Sequence, residues 1–184
     1  MVSVPKQSNN QGAPAGKKNV IVIFDFDKVT TYTRDAKEVS VTALALASSV
    51  TPIGIFVDES SIDAGDEVEG DNYARGFLHH VNFDHPGTDL QNAEFKAANV
   101  NANLGAIVIT CDPTVTTAKI YGTPCSPLKM QQGQEQDTSE AHNNHYELKN
   151  TVRTSPVGII AKNLIPVTDN SEINTLLGLS AGGV

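Results

Sequence analysis

Hydrophobic positions fall in short runs with a period of two far more often than a period near 3.6, so the chain reads as many strands and few helices. NVIVIFDF, from Asn19, is a continuous β-branched run, which predicts a strand buried on both faces and placed innermost. KEVSVTALALA, over 37–47, alternates, and PIGIFV opens a further strand at Pro52. GFLHHVNF, over 76–83, sets Phe77, His79, Val81 and Phe83 against Leu78, His80 and Asn82. After HPGTD the spacing changes: Leu90, Ala93, Ala97, Val100 and Leu104 recur at three and four behind an N-cap at Thr88 or Asp89, which predicts one amphipathic helix.

From Leu104 to Ile160, GAIVITC, TTAKIYG, HYELKNTV and PVGIIA predict four more strands. Between them, Tyr121, Gly122, Pro124, Pro127 and Leu128 read as a strand end, a rigid turn and the next strand's start. The expected class is α+β, mainly antiparallel β, with one domain over residues 19–161. Residues 1–18 are polar and read as an arm; residues 162–184 read as a tail with a short helix at Ser171–Leu177 capped by Asn170 or Ser171.

The chain has 184 residues, enough for one sizeable core. No apolar run approaches the roughly 20 residues that span a bilayer, and residues 1–18 lack the apolar stretch of a signal peptide, so a cytoplasmically made protein without a membrane segment is expected. Net charge is −8, which predicts repulsion of nucleic-acid phosphates. Trp is absent, which weighs against a carbohydrate-binding module built on aromatic platforms. Cys111 and Cys125 are expected reduced and buried.

VIVIFDFDKVTT carries the one enzymatic temptation. A strand ending in Asp25-x-Asp27 resembles the first motif of haloacid-dehalogenase-like phosphatases, which implies Asp25 as nucleophile, Asp27 as general acid and base, Mg²⁺ as cofactor and Thr110 as phosphate ligand. Lys28 stands where that motif favours Gly, and no late strand ends in the acidic pair that holds the metal. In HHVNFDHPGTD, His80, Asp84 and His85 offer donors for Zn²⁺ without fixing a tetrahedral set, and His142 and His145 are expected exposed. No P-loop or nucleophile elbow is present. The expectation is therefore a non-enzyme without cofactor or metal.

One segment changes composition abruptly. DESSIDAGDEVEGD, over 58–71, carries Asp58, Glu59, Asp63, Asp66, Glu67, Glu69 and Asp71 and reads as a long acidic loop between two strands, of a length more often employed at interfaces than idle. With that loop, GTDLQNAEFKAANVN as helix, and GAIVIT, AKIYG, YELKNT and VGIIA as later strands, the order of elements resembles the tail-tube-like fold of tailed-bacteriophage virion proteins. RGFLHHVNFDHPG, AKIYGTPCSPLKM and DTSEAHNNHYELKN are similar to phage structural proteins of this length. The resemblance implies a β-sandwich or flattened barrel with one flanking helix, in a subunit that self-assembles into rings, hexameric in that family. Such rings form or complete the DNA-conducting tube of the virion tail. It also implies other tail proteins as partners and DNA only as non-adhesive cargo. The seven acids become candidates for an inter-ring contact or lumen wall. A tail ring, completion or decoration protein is the alternative within that class, and the Mg²⁺-dependent phosphatase of Asp25 and Asp27 the alternative outside it.

Overall fold

The computed structural model describes residues 16–58, 60–138 and 142–179. Eleven strands and two α-helices follow in chain order: β1 (Lys17–Asp25), β2 (Val29–Arg34), β3 (Ser40–Leu46), β4 (Ile53–Phe56), β5 (Asp63–Glu69), β6 (Gly76–Pro86), α1 (Leu90–Asn99), β7 (Leu104–Thr110), β8 (Thr117–Tyr121), β9 (Lys129–Asp137), β10 (His142–Lys149), β11 (Gly158–Ala161) and α2 (Ser171–Leu177). The class is α+β, dominated by strands, as the period-two pattern requires.

The strands make two sheets. One has seven strands in the order β2-β3-β11-β8-β7-β1-β4, and the other has four in the order β5-β6-β10-β9. Every pairing is antiparallel except β11 with β3. β1 is buried on both faces, with Val20, Ile21, Val22 and Ile23 at 0% exposure, yet it lies next to the edge of its sheet and not at its centre. Its alternate residues feed two cores. Ile21 and Ile23 join Ala106 and Val108 of β7 against Val81 and Phe83 of β6 and Tyr146 and Leu148 of β10, filling the space between the sheets. Val20, Val22 and Phe24 face the other way, toward Ile107, Ile109, Ile120 and Ile160, under a lid formed by Ile165, Ile173 and Leu177. Each such side chain, fully buried, stabilises the fold by about 1.5–3 kcal/mol. The stretch from Lys162 onward, read from sequence as a tail, thus supplies core residues, and α2 forms where expected, capped by the Asn170 side chain at its start and by left-handed Gly178 at its end.

Two expectations need correction. The stretch 58–71 is not a loop, because Asp63–Glu69 forms β5, paired along its length with β6. The helix forms with Asp89 as N-cap, but its apolar stripe faces outward: Leu90 is 72% and Val100 52% exposed, with Ala93 and Ala97 exposed between them. Asn92 and Asn99 are buried instead. Asn92 is held by the Asp89 side chain, the Gly87 carbonyl and the Tyr146 hydroxyl, and these hydrogen bonds outweigh the pull of a small Leu-Ala-Ala-Val stripe.

Candidate functional site

The four-stranded sheet presents one face to the core and the other to solvent, and the parity of its strands decides which side chains go where. In β6, His79, Val81 and Phe83 are buried, so His80, Asn82 and Asp84 point outward. Their register partners share that outer face: Asp63 lies opposite Asn82, Gly65 opposite His80, and Glu67 opposite Leu78, with Glu69 at the far end opposite Gly76. On the other side of β6, His145 pairs with Asp84 and Glu147 with Asn82, and β9 adds Gln132, Gln134 and Gln136 in register with Glu147, His145 and Asn143. Apart from Leu78 the outer face is therefore polar, with Asp63, Glu67, Glu69, Asp84 and Glu147 set against Lys149 and two imidazoles.

The seven acids of 58–71 separate accordingly. Asp63, Glu67 and Glu69 stand on the outer face. Asp66 turns to the opposite side, where its carboxylate accepts the Val157 N–H at 3.4 Å. Asp58 caps a turn, its Oδ1 accepting the Ser60 N–H at 3.0 Å and the Ser60 hydroxyl at 2.9 Å. Asp71 belongs to the hairpin tip, where its carbonyl accepts the Ala74 N–H. Glu59 lies outside the described residues. At the same tip Tyr73 is fully exposed at φ 79, a conformation that is strained for an aromatic residue.

Cross-strand imidazole–carboxylate pairs are the feature that the sequence reading missed. His145 Nδ1 and Asp84 Oδ1 are 2.6 Å apart, His142 Nδ1 and Asp137 Oδ1 2.6 Å, and His80 Nε2 and Asp63 Oδ2 3.7 Å. Such pairs form between opposite or diagonal residues of neighbouring strands, so only the register, not the spacing along one strand, reveals them. The Zn²⁺ grouping does not assemble: His85 points to the other side of β6 from His80 and Asp84, and its Nδ1 lies 2.5 Å from the Phe56 carbonyl. Among the described residues no three His, Cys, Asp or Glu side chains cluster as metal ligands. Cys111 and Cys125 are unbridged and, against expectation, exposed, because both sit in turns beyond strand ends.

The phosphatase constellation is taken apart by strand direction. β1 and β7 are antiparallel, so Asp25 lies beside Leu104 while Thr110 lies beside Lys17, at the other end of β1. Six residues of β7, at roughly 3.3 Å each, separate the two ends by about 20 Å. Asp25 accepts the Asp27 N–H at 3.0 Å as the cap of a 3-10 turn, and Asp27 accepts from Asn103 Nδ2 at 2.8 and 2.9 Å. The chain then continues into β2, where a phosphatase of that type requires a crossover helix.

A cleft of about 710 Å³ opens between the edge strand β4 and α1, lined by Ile55, Phe56, Phe95, Ala98 and Tyr146 with Asp169 at one end. Asp169 accepts the Gly54 N–H at 3.0 Å and so covers part of that sheet edge. Comparison with protein-family models, with curated proteins and with solved structures returned no match.

Proposed function

We propose that this chain is a self-assembling structural protein of a bacteriophage tail, whose subunits close into rings, six to a ring, that form or complete a DNA-conducting tube. The observation that carries the reading is the four-stranded sheet: one face is packed on the core, the other is exposed and acidic, and its terminal strands β5 and β9 carry no strand on their far edges. Its four strands alternate in direction, so β9 of one subunit can pair antiparallel with β5 of the next, turning every subunit the same way around an axis. Such a join closes the ring and removes the open edges that a solitary subunit exposes.

The outer face would then line the channel. Asp63, Glu67, Glu69, Asp84 and Glu147 repel phosphates there, which suits a conduit that DNA passes through without adhering. The β5–β6 hairpin tip, with Tyr73 at its apex, would reach toward the adjoining ring or another tail protein. The assembled virion tail would be its site of action, after synthesis in the bacterial host cytoplasm. Negative-stain imaging of the purified chain tests the proposal, with rings or tubes around a central channel as the expected result. Strictly monomeric behaviour in light scattering across the micromolar range, at moderate and high salt alike, overturns it. Single rings without stacks assign the chain to ring completion.

A further inference from the structure

Lys96, Glu135 and Asn144 meet between α1 and the four-stranded sheet in a geometry that exceeds the needs of an ion pair. Lys96 descends from the last turn of α1, its stem passing over Gly133, where an added Cβ would lie 3.6 Å from Lys96 Cδ. Its Nζ donates to Glu135 Oε2 at 2.5 Å and to Asn144 Oδ1 at 2.9 Å. Glu135 and Asn144 are direct register partners across β9 and β10, so carboxylate and carboxamide stand side by side on the inner face. Asn144 is wholly buried, and its Nδ2 donates to the Gly87 carbonyl at 2.7 Å, which turns Oδ1 toward the lysine and directs the amide nitrogen away from it. Tyr146, two residues on from Asn144 on the same face, stacks on Phe83 and stands edge-on to Phe95, while the Glu135 side chain keeps 42% of its surface open to solvent.

We infer that Lys96 and Asn144 become joined by an isopeptide bond formed autocatalytically, with Glu135 as the proton shuttle. Glu135 takes a proton from Nζ, and the freed lone pair attacks Asn144 Cγ. A C–N bond forms while the carbonyl π pair moves onto Oδ1. The proton held by Glu135 passes to Nδ2, the Cγ–Nδ2 bond breaks as the carbonyl re-forms, ammonia leaves, and the second proton of the original ammonium passes from Nζ by way of Glu135 to the departing ammonia. Ammonium side chain and carboxamide become secondary amide and free ammonium, with no oxidant, metal or cofactor in the balance. Nζ already lies one hydrogen bond from the carbonyl oxygen, so a small rotation of the lysine end brings it to the roughly 3–3.5 Å separation of a near-attack arrangement. The carboxylate, 2.5 Å from Nζ, supplies the base and acid that this transfer needs. The product fastens α1 covalently to β10, a staple suited to a protein that must outlast conditions a noncovalent fold would not.

Mass spectrometry of the denatured, purified full chain tests this, with wild type compared with Lys96→Arg and Glu135→Gln. Wild type is expected lighter than its sequence by one ammonia, with a branched tryptic peptide joining Lys96 to Asn144, and both variants at full mass. Glu135→Gln keeps a hydrogen-bonding partner for Nζ, so its circular dichroism spectrum is expected to match wild type while the cross-link is absent. Wild type at full mass, giving separate linear peptides for Lys96 and Asn144, overturns the inference. An ammonia loss that persists in Glu135→Gln removes Glu135 from the mechanism and overturns the role assigned to it.

Discussion

His79 Nδ1 accepts the backbone N–H of Gly122 at 2.9 Å, tying β6 in one sheet to the turn that follows β8 in the other. Nε2 lies 3.0 Å from the Ser155 carbonyl, to which it donates, so the ring is held neutral with its proton on Nε2. The side chain is wholly buried, and its backbone N–H is taken by Asn150 Oδ1 at 2.6 Å. Asn150 in turn donates to the Ser126 hydroxyl, so one polar chain crosses the centre of an otherwise apolar interior.

Acid should loosen this junction. Burial holds the His79 pKa below its ordinary value, and Arg34 and His80 push it the same way, while the Ser155 carbonyl and Asp66 oppose them. The unfolded chain takes up a proton near pH 6.5, where the fold resists it. This contribution to stability is therefore complete above about pH 6.5, declines as pH falls below that value, and levels off beneath the folded pKa. Thermal melting from neutral to acid pH should show the loss, and His79→Leu should flatten it. That variant also strands the Gly122 N–H, at a cost of about 1–3 kcal/mol at neutral pH.

Gly105→Ala should destabilise strongly. An added Cβ would stand 2.4 Å from Phe24 Cζ and 2.8 Å from Phe26 Cε2, two rings already in edge contact and packed in the core. Neither ring can withdraw without opening that core, so overpacking of about 1–3 kcal/mol or more is expected in urea unfolding.

Ile173→Ala tests whether the end of the described chain belongs to the core. Ile173 is 0% exposed beneath Gly54 of β4, so truncation should cost about 2–5 kcal/mol in the same experiment. A change below about 0.5 kcal/mol, typical of a surface site, would show that α2 is only an appendage.

Asp25→Asn should be mild. Its exposed carboxylate does no more than cap a 3-10 turn, and an amide oxygen can accept the same Asp27 N–H, so melting should shift by less than about 1 kcal/mol equivalent. Hydrolysis of a generic phosphate ester that depends on Mg²⁺ and disappears in Asp25→Asn would overturn the structural reading of this turn.

Neutralising Asp63, Glu67 and Glu69 together should leave the subunit folded, each change staying within about 0.5 kcal/mol as exposed edge-strand positions do. If rings form as proposed, the same variant should retain DNA more strongly at low salt, because charge would be removed from the proposed channel wall, with the difference fading as salt screens it. Unchanged DNA retention would place these acids away from the channel.

How much the sequence disclosed depended on whether a segment's apolar residues are the ones that it buries. β1, β6, β7 and α2 were legible because their alternating or β-branched patterns match their buried faces. β5 was hidden because an edge strand needs only one neighbour, and its acidic side chains erase the apolar signature. β9 was legible only at its start, since KMQQGQEQD holds its place through its ladder with β10 and not through its own hydrophobicity. The helix was found by its period, but its orientation follows from Asn92 and Asn99, polar residues whose burial no apolar pattern signals and of whose hydrogen bonds only that from Tyr146 to Asn92 comes from far away in sequence. The His–Asp pairs and the Lys96–Glu135–Asn144 group share that limit, because each joins strands or helices whose register no local pattern encodes.

The single parallel pairing, Ser40 with Ile159 and Val41 with Ile160, sets the order of events in the life of the chain. Among the described strands the β2–β3 hairpin reaches the rest of its sheet only through β11, which follows all of them in chain order. Until β11 arrives, that hairpin has no sheet to join, and so distant a closure is slow compared with the local hairpins. A ribosome-bound or prematurely terminated chain is thus left with an unfinished sheet. The four-stranded sheet, by contrast, needs no residue beyond Lys149, so the topology divides the chain into a part that can close as it emerges and a hairpin that must wait for β11.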